Sequence, residues 1–161
     1  METETGSRQA SEGVIAVGTW SMDLLKPRGY RLPCAVKRGY HMHFKPSGNA
    51  GLNRPIVDLA YGYAASSMAM GLRVTTGIEF ADRDAPPTPV PLKRVEPHAR
   101  ELLPLEKARE PTPWMGRPAS FPDSVPVLGP APSHQGLCPA HGHAHTGPTL
   151  GPVSVTERAG G

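Results

Sequence analysis

A chain of 161 residues can bury one core, but 18 glycines, 20 prolines and an aromatic content of 6% leave it just short of the composition of disordered chains. The net charge of +3 comes from lysines and arginines scattered singly, without the basic stripe that phosphate recognition requires, so no nucleic-acid partner is expected. The uncharged, apolar-rich stretch 59–72 falls short of the roughly 20 residues of a membrane helix, and the opening METETGSRQASEG lacks the apolar core of a secretory signal.

Residues 1–12 are small and polar and read as a disordered tail. Val14-Ile15-Ala16-Val17, stopped by Gly18, predicts a strand buried on both faces. Thr19 or Ser21 is placed to cap a short helix over residues 22–25 that Pro27 and Gly29 end. Over residues 34–44, Val36, Arg38, Tyr40, Met42 and Phe44 alternate with Lys37, Gly39, His41 and His43, a period of two that predicts a strand with one wet face. A turn at Pro46-Ser47-Gly48-Asn49 precedes two candidate strands over residues 56–63 and 64–70, and β-branched Val74, Thr75, Thr76 and Ile78 predict another over residues 71–80. An antiparallel meander is the simplest assembly. Sixteen of the 20 prolines lie between Pro86 and Pro152, so the second half is expected as loops and short segments. Within it, a helix starting near Pro97 and ended by Pro104 is predicted, and residues 104–152 read as turn-rich with apolar islands at Trp114-Met115 and residues 125–128.

Three chemistries compete for the second half. His141, His143 and His145 at alternate spacing, with Cys138 nearby, suggest zinc or copper. Pro139, Gly142, Gly147 and Pro148 break the strand that would align them, so no metal is expected. Pro86 and Pro89 form a P-x-x-P, a possible ligand for aromatic grooves. That reading gives a non-catalytic, largely disordered Pro-rich chain with at most an interaction role.

The third reading covers most of the chain. Residues 14–21, VIAVGTWS, resemble the strand and glycine turn of FAD-dependent oxidoreductases of the D-amino-acid oxidase superfamily, nearest in pattern to the D-amino-acid dehydrogenases. Arg38-Gly39-Tyr40-His41 resembles that family's RGYH strand, and residues 71–81, GLRVTTGIEFA, resemble its GLRvTtGxEfA strand. Residues 113–129, PWMGRPASFPDSVPVLG, resemble its PWmGxRP block and PDxlPviG block, and residues 142–152, GHAHTGPTLGP, resemble its flavin-contacting loop.

The resemblance implies an α+β fold: an antiparallel substrate-domain sheet with short helices, plus a loop-rich C-terminal remainder of an FAD-binding domain. It implies the end of the FAD domain over residues 13–21, the substrate domain over 22–112 and a flavin- and substrate-contacting segment over 113–161. FAD is the implied cofactor, contacted by Gly18, Trp20, Gly142, His143, Gly147, Thr149, Leu150 and Gly151. Arg117, Tyr40 and His41 are the implied substrate contacts, with Arg117 on the carboxylate. A small amino acid and an electron acceptor are the implied partners, and oxidative deamination by hydride transfer to flavin the implied reaction.

Four departures qualify these expectations. The sequence holds no G-x-G-x-x-G, so the N-terminal dinucleotide fold is expected to be missing and the chain to be inactive alone. Arg117 stands one residue before the family's slot, which holds Pro118, and a slip of one residue turns a strand side chain to the other face. Residues 137–143, LCPAHGH, replace a bulky apolar strand and are expected to pack poorly. Residues 153–161 read as too short and too glycine-ended to form the family's last helix. Two cysteines without a disulfide framework point to a cytoplasmic location, with peripheral attachment to the inner membrane face as the alternative.

Overall fold

The computed structural model describes residues 2–159. In chain order its elements are β1 (Glu2–Thr3), β2 (Gly6–Ser7), β3 (Gly13–Ile15), α1 (Ser21–Leu25), β4 (Ala35–Pro46), β5 (Ile56–Asp58), β6 (Tyr63–Met68), β7 (Gly71–Phe80), α2 (Val90–Leu102), β8 (Leu105–Ala108), β9 (Trp114–Gly116), β10 (Ala119–Ser120), β11 (Val127–Leu128), β12 (Leu137–His141) and α3 (Gly147–Ala159). The fold is α+β and mostly antiparallel, as the sequence predicts. The chain divides into two compact units. Lys37–Arg117 is the sheet unit, and Met1–Val36 with Pro118–Gly161 is the terminal unit.

In the sheet unit the antiparallel order is β4, β7, β6, β5, and β8 and β9 pair along the other edge of β4. The period of two in β4 holds: Arg38, Tyr40, Met42 and Phe44 are buried. With Tyr63, Ala65 and Val74 the last three form one face of the core, and Leu92, Val95, Ala99 and Leu103 cover it from α2 and its end. Each fully buried aliphatic or aromatic side chain of this kind contributes roughly 1.5–3 kcal/mol. That apolar stripe explains why α2 starts seven residues ahead of the predicted place. Pro91 sits in the first turn, where a missing N–H costs nothing, and burial of Leu92 and Val95 outweighs the one bond that Pro97 forfeits inside the helix. At the β6–β7 turn Gly71 has φ +128, and a Cβ there would lie 2.4 Å from the Phe44 carbonyl oxygen. Only glycine fits that approach.

In the terminal unit β12 lies between β11 and β3. It runs parallel to β3, with Cys138 opposite Val14 and Pro139 opposite Ile15. Residues 137–141, expected to pack poorly, therefore form a central strand. Pairing with both β3 and β11 and burial of Cys138, 1% exposed, compensate for the N–H that Pro139 lacks. Helix α3 likewise forms where none was expected. It starts at Gly147, well before Pro152, and so reaches a length that residues 153–161 alone lack. Residues 1–12 also differ from a disordered tail, because Glu2 and Thr3 pair antiparallel with Ser7 and Gly6. Helix α1 ends as predicted, but neither Thr19 nor Ser21 caps it; Trp20 occupies the cap position. Ala35 and Val36, the first residues of β4, pair with Ser120 and Ala119 of β10. Among the described residues no helix is long and apolar enough to cross a membrane.

Candidate functional site

The face of the sheet unit turned away from α2 collects its polar aromatic side chains. Residues directly opposite on antiparallel strands share a face. The pairs Thr75 with His41, Arg73 with His43 and Trp114 with His41 thus put Arg73, Thr75, His41, His43 and Trp114 on one side. Trp114 stacks on His41 at a 4.6 Å centroid distance and 22°, and His43 meets His41 edge-on at 5.1 Å. Glu110, just after β8, accepts hydrogen bonds from the His43 amide at 3.1 Å and from His43 Nδ1 at 2.5 Å, which leaves Nε2 of that ring as the free position. Burial raises the Glu110 carboxyl, but the His43 hydrogen bonds outweigh it and hold the pKa below the ordinary glutamate value. Burial, followed by the charges of His43 and Arg73, lowers the His41 pKa, with Glu110 opposing. These effects favour the neutral ring of His41. Arg73 Nε is buried without a hydrogen-bond partner.

The opposite face has a different job. Arg38, 1% exposed, donates from Nε and one Nη to Glu79 Oε2 at 3.0 and 2.8 Å, and from the other Nη to the Ala85 carbonyl at 2.7 Å. Tyr40 donates its hydroxyl to the same Glu79 oxygen at 2.8 Å and accepts the Thr88 amide at 2.9 Å, while the Thr88 hydroxyl donates to Glu79 Oε1. Tyr40, expected to contact substrate, is instead 1% exposed with its hydroxyl committed to this cluster. Arg117 lies on the same side by alternation. Met115 pairs with Tyr40 and packs on the core, Gly116 returns to the His41 side, and Arg117 follows it. The Arg117 charge reaches Asp84 and contributes to its lowered pKa, after the hydrogen bond and charge of Arg83.

In the terminal unit the carboxyl ends of the parallel strands β3 and β12 carry polar atoms with nothing to bond. Thr19 Oγ1, Ser21 Oγ and both ring nitrogens of His141 are buried without partners. In parallel sheets that edge is where ligands bind. Gly18 has φ +57, and Trp20, beside it, is 49% exposed. Gly142 has φ +91, and a Cβ there would lie 2.2 Å from Phe121 Cε2, so the turn into the next loop requires glycine. His143 bonds Ser154 Oγ through Nε2 at 2.8 Å and thereby pins the loop to α3. Gly147, Thr149, Leu150 and Gly151 lie in the first turns of that helix. A helix start presents amide groups without intrahelical acceptors and the positive end of the dipole. Orphaned buried donors and a helix start fit the polar rim of a flavin ring better than an apolar ligand.

Among the described residues no three His, Cys, Asp or Glu side chains are grouped to hold a metal. Arg73, Glu110 and Trp114 were not predicted as site residues, nor was the Arg38–Glu79 pair. Alternation predicts which residues of one strand share a face; which strand lies opposite is fixed by register, and this chain has a register shift between Gly39 and His41.

Comparison with known proteins gives one consistent picture. The family model described as FAD dependent oxidoreductase matches residues 2–155. A glycine oxidase of Pseudomonas putida is 35% identical over 156 residues, covering 96% of this chain and 42% of that protein. A D-amino acid dehydrogenase of Paramagnetospirillum magneticum is 32% identical, covering 82% of this chain and 32% of that protein. The crystal structure of glycine oxidase from Geobacillus kaustophilus superposes with a TM-score of 0.78 at 22% identity, over 95% of this chain and 41% of that one. The chain thus spans less than half the length of the relatives it matches.

Proposed function

This chain belongs to the FAD dependent oxidoreductase family, and from that premise we propose that it serves the oxidative deamination of a small amino acid. Bound FAD supplies a two-electron acceptor. The substrate loses its α-hydrogen with the bonding pair and a proton from nitrogen, and water converts the resulting imino acid into a 2-oxo acid and ammonia. In the terminal unit the amides at the start of α3 and the unpartnered His141, Thr19 and Ser21 atoms would hold the polar edge of a flavin ring and supply donors for negative charge there. The single observation that supports this most is that both ring nitrogens of His141, the last residue of β12, are buried without partners. The sheet unit contributes substrate contacts through His41, whose neutral ring accepts or donates one hydrogen bond without repelling an ammonium.

Tight cofactor binding needs a pyrophosphate cradle, and the sequence has no G-x-G-x-x-G to form one. The 161-residue chain is therefore proposed to hold FAD weakly and not to turn over by itself. Purification followed by the visible absorbance spectrum, before and after added FAD, is the test. A colourless protein with weak flavin uptake is expected; stoichiometric yellow protein with amino-acid oxidase activity overturns the proposal of inactivity. Failure of FAD to perturb the His141 ring resonances overturns the placement of the ring.

A further inference from the structure

We propose that Arg73, and not Arg117, is the carboxylate-binding cation of the sheet unit. The inference takes the identity of its ligand, an amino-acid carboxylate, from the function proposed above; the site itself stands on geometry. Arg73 lies opposite His43 and next to Thr75, which lies opposite His41, so it shares a face with the His41–Trp114 stack. Its Nε is withdrawn from solvent with no hydrogen-bond partner, a state that costs free energy unless a ligand satisfies it. Glu110 accepts from the His43 amide and ring and forms no ion pair with Arg73. No carboxylate pairs with Arg73 among the described residues.

The charges of that face lead to the same residue. Burial and the neighbouring charges favour the neutral form of His41 and His43 is paired with Glu110 at 2.5 Å, so Arg73, opposite His43, is the cation next to these two rings that has no carboxylate partner among the described residues. A planar guanidinium donates two parallel hydrogen bonds to a carboxylate, and the stacked Trp114 and His41 rings form an apolar wall beside it. Arg117 Nε is also unpartnered. Its direction differs: strand alternation sets it on the Tyr40 side, toward Asp84. Arg117 is thus directed to the Asp84 side, while Arg73, opposite His43, faces the stacked rings.

The test is titration of the full chain with sodium acetate, reading the ring NMR signals of His41, His43 and Trp114. Saturable shifts are expected in the unmodified chain. Arg73→Gln weakens acetate binding at least about tenfold, whereas Arg117→Gln changes it less than about twofold. If Arg73→Gln fails to fold by circular dichroism, Arg73→Lys decides, since a point charge without the fork binds at least about threefold more weakly. Absence of saturable shifts overturns the proposal, as does loss on Arg117→Gln with retention on the Arg73 variants. Amino-acid oxidation is read separately: a chain that binds acetate through Arg73 but shows no flavin-linked chemistry refutes the proposed function and leaves this site intact.

Discussion

Glu79→Gln is expected to destabilise the sheet unit more than Arg38→Met, although the two residues form one ion pair. The side chains are 1% and 21% exposed for Arg38 and Glu79. Gln in place of Glu leaves a guanidinium charge almost wholly buried with only neutral partners, the Ala85 carbonyl at 2.7 Å, Thr88 Oγ1 at 3.3 Å and the Asp82 carbonyl at 3.5 Å, and stranding one partner of a buried pair costs about 3–5 kcal/mol. Because Glu79 retains some solvent, the lower end, about 3 kcal/mol, is expected. Arg38→Met strands the better solvated partner. Glu79 keeps Tyr40 and Thr88 as donors, and the loss is about 1–2 kcal/mol, mostly from the Ala85 carbonyl.

Urea unfolding in a Trp20→Phe background gives the measurement, because Trp114 is then the one tryptophan and lies in the sheet unit. Acid adds a second readout. The Thr88 hydrogen bond, with those of Tyr40 and Arg38 and against burial, lowers the Glu79 pKa. Folding therefore favours the carboxylate: the stabilisation is complete above the ordinary glutamate value and is lost as pH falls through the lower folded value. Glu79→Gln should lack that part of the acid dependence. If Glu79→Gln costs no more than Arg38→Met, the buried charge is not what the cluster stabilises, and the reasoning fails.

Three more outcomes follow from named contacts. Gly142→Ala sets a methyl 2.2 Å from Phe121 at φ +91 and should cost about 2–4 kcal/mol, read as a drop in thermal midpoint; a variant within about 0.5 kcal/mol of the unmodified chain counts against the turn as described. Trp114→Ala uncovers His41, whose pKa is lowered first by burial, so its NMR titration should move up toward the ordinary histidine value. Since folding disfavours the protonated ring, the stability it removes as pH falls through that ordinary value should shrink in the variant. His141→Leu replaces a ring that is 1% exposed and has two orphaned nitrogens; it should stabilise the flavin-free chain by about 1–2 kcal/mol while weakening FAD binding. A variant that loses stability and leaves FAD binding unchanged contradicts the assignment of His141 to the flavin.

How far the fold is legible in the sequence depends on what each prediction rests on. Local alternation suffices for β4, because its even residues bury themselves whatever strand lies opposite, and β7 spans the expected residues 71–80. Local rules failed wherever a distant contact compensates a local fault. Pro97 reads as a helix start until Leu92 and Val95 find the core, and Pro139 reads as a strand breaker until β3 and β11 flank it. The site shows the same division more sharply. Arg117 and Arg73 are both arginines in family-like blocks, and nothing local ranks them. What separates them is the pairing of Gly116 with Gly39 and of Arg73 with His43, which turns one cation toward Asp84 and the other toward His41. Tyr40 was chosen for its hydroxyl, yet the acid that takes that hydroxyl, Glu79, lies 39 residues away. A polar side chain is free for a ligand when its protein partners are absent, and those partners come from register, which composition and spacing do not encode. Arg73 is the strongest candidate because it meets both conditions: it faces the aromatic stack, and among the described residues no group bonds its Nε.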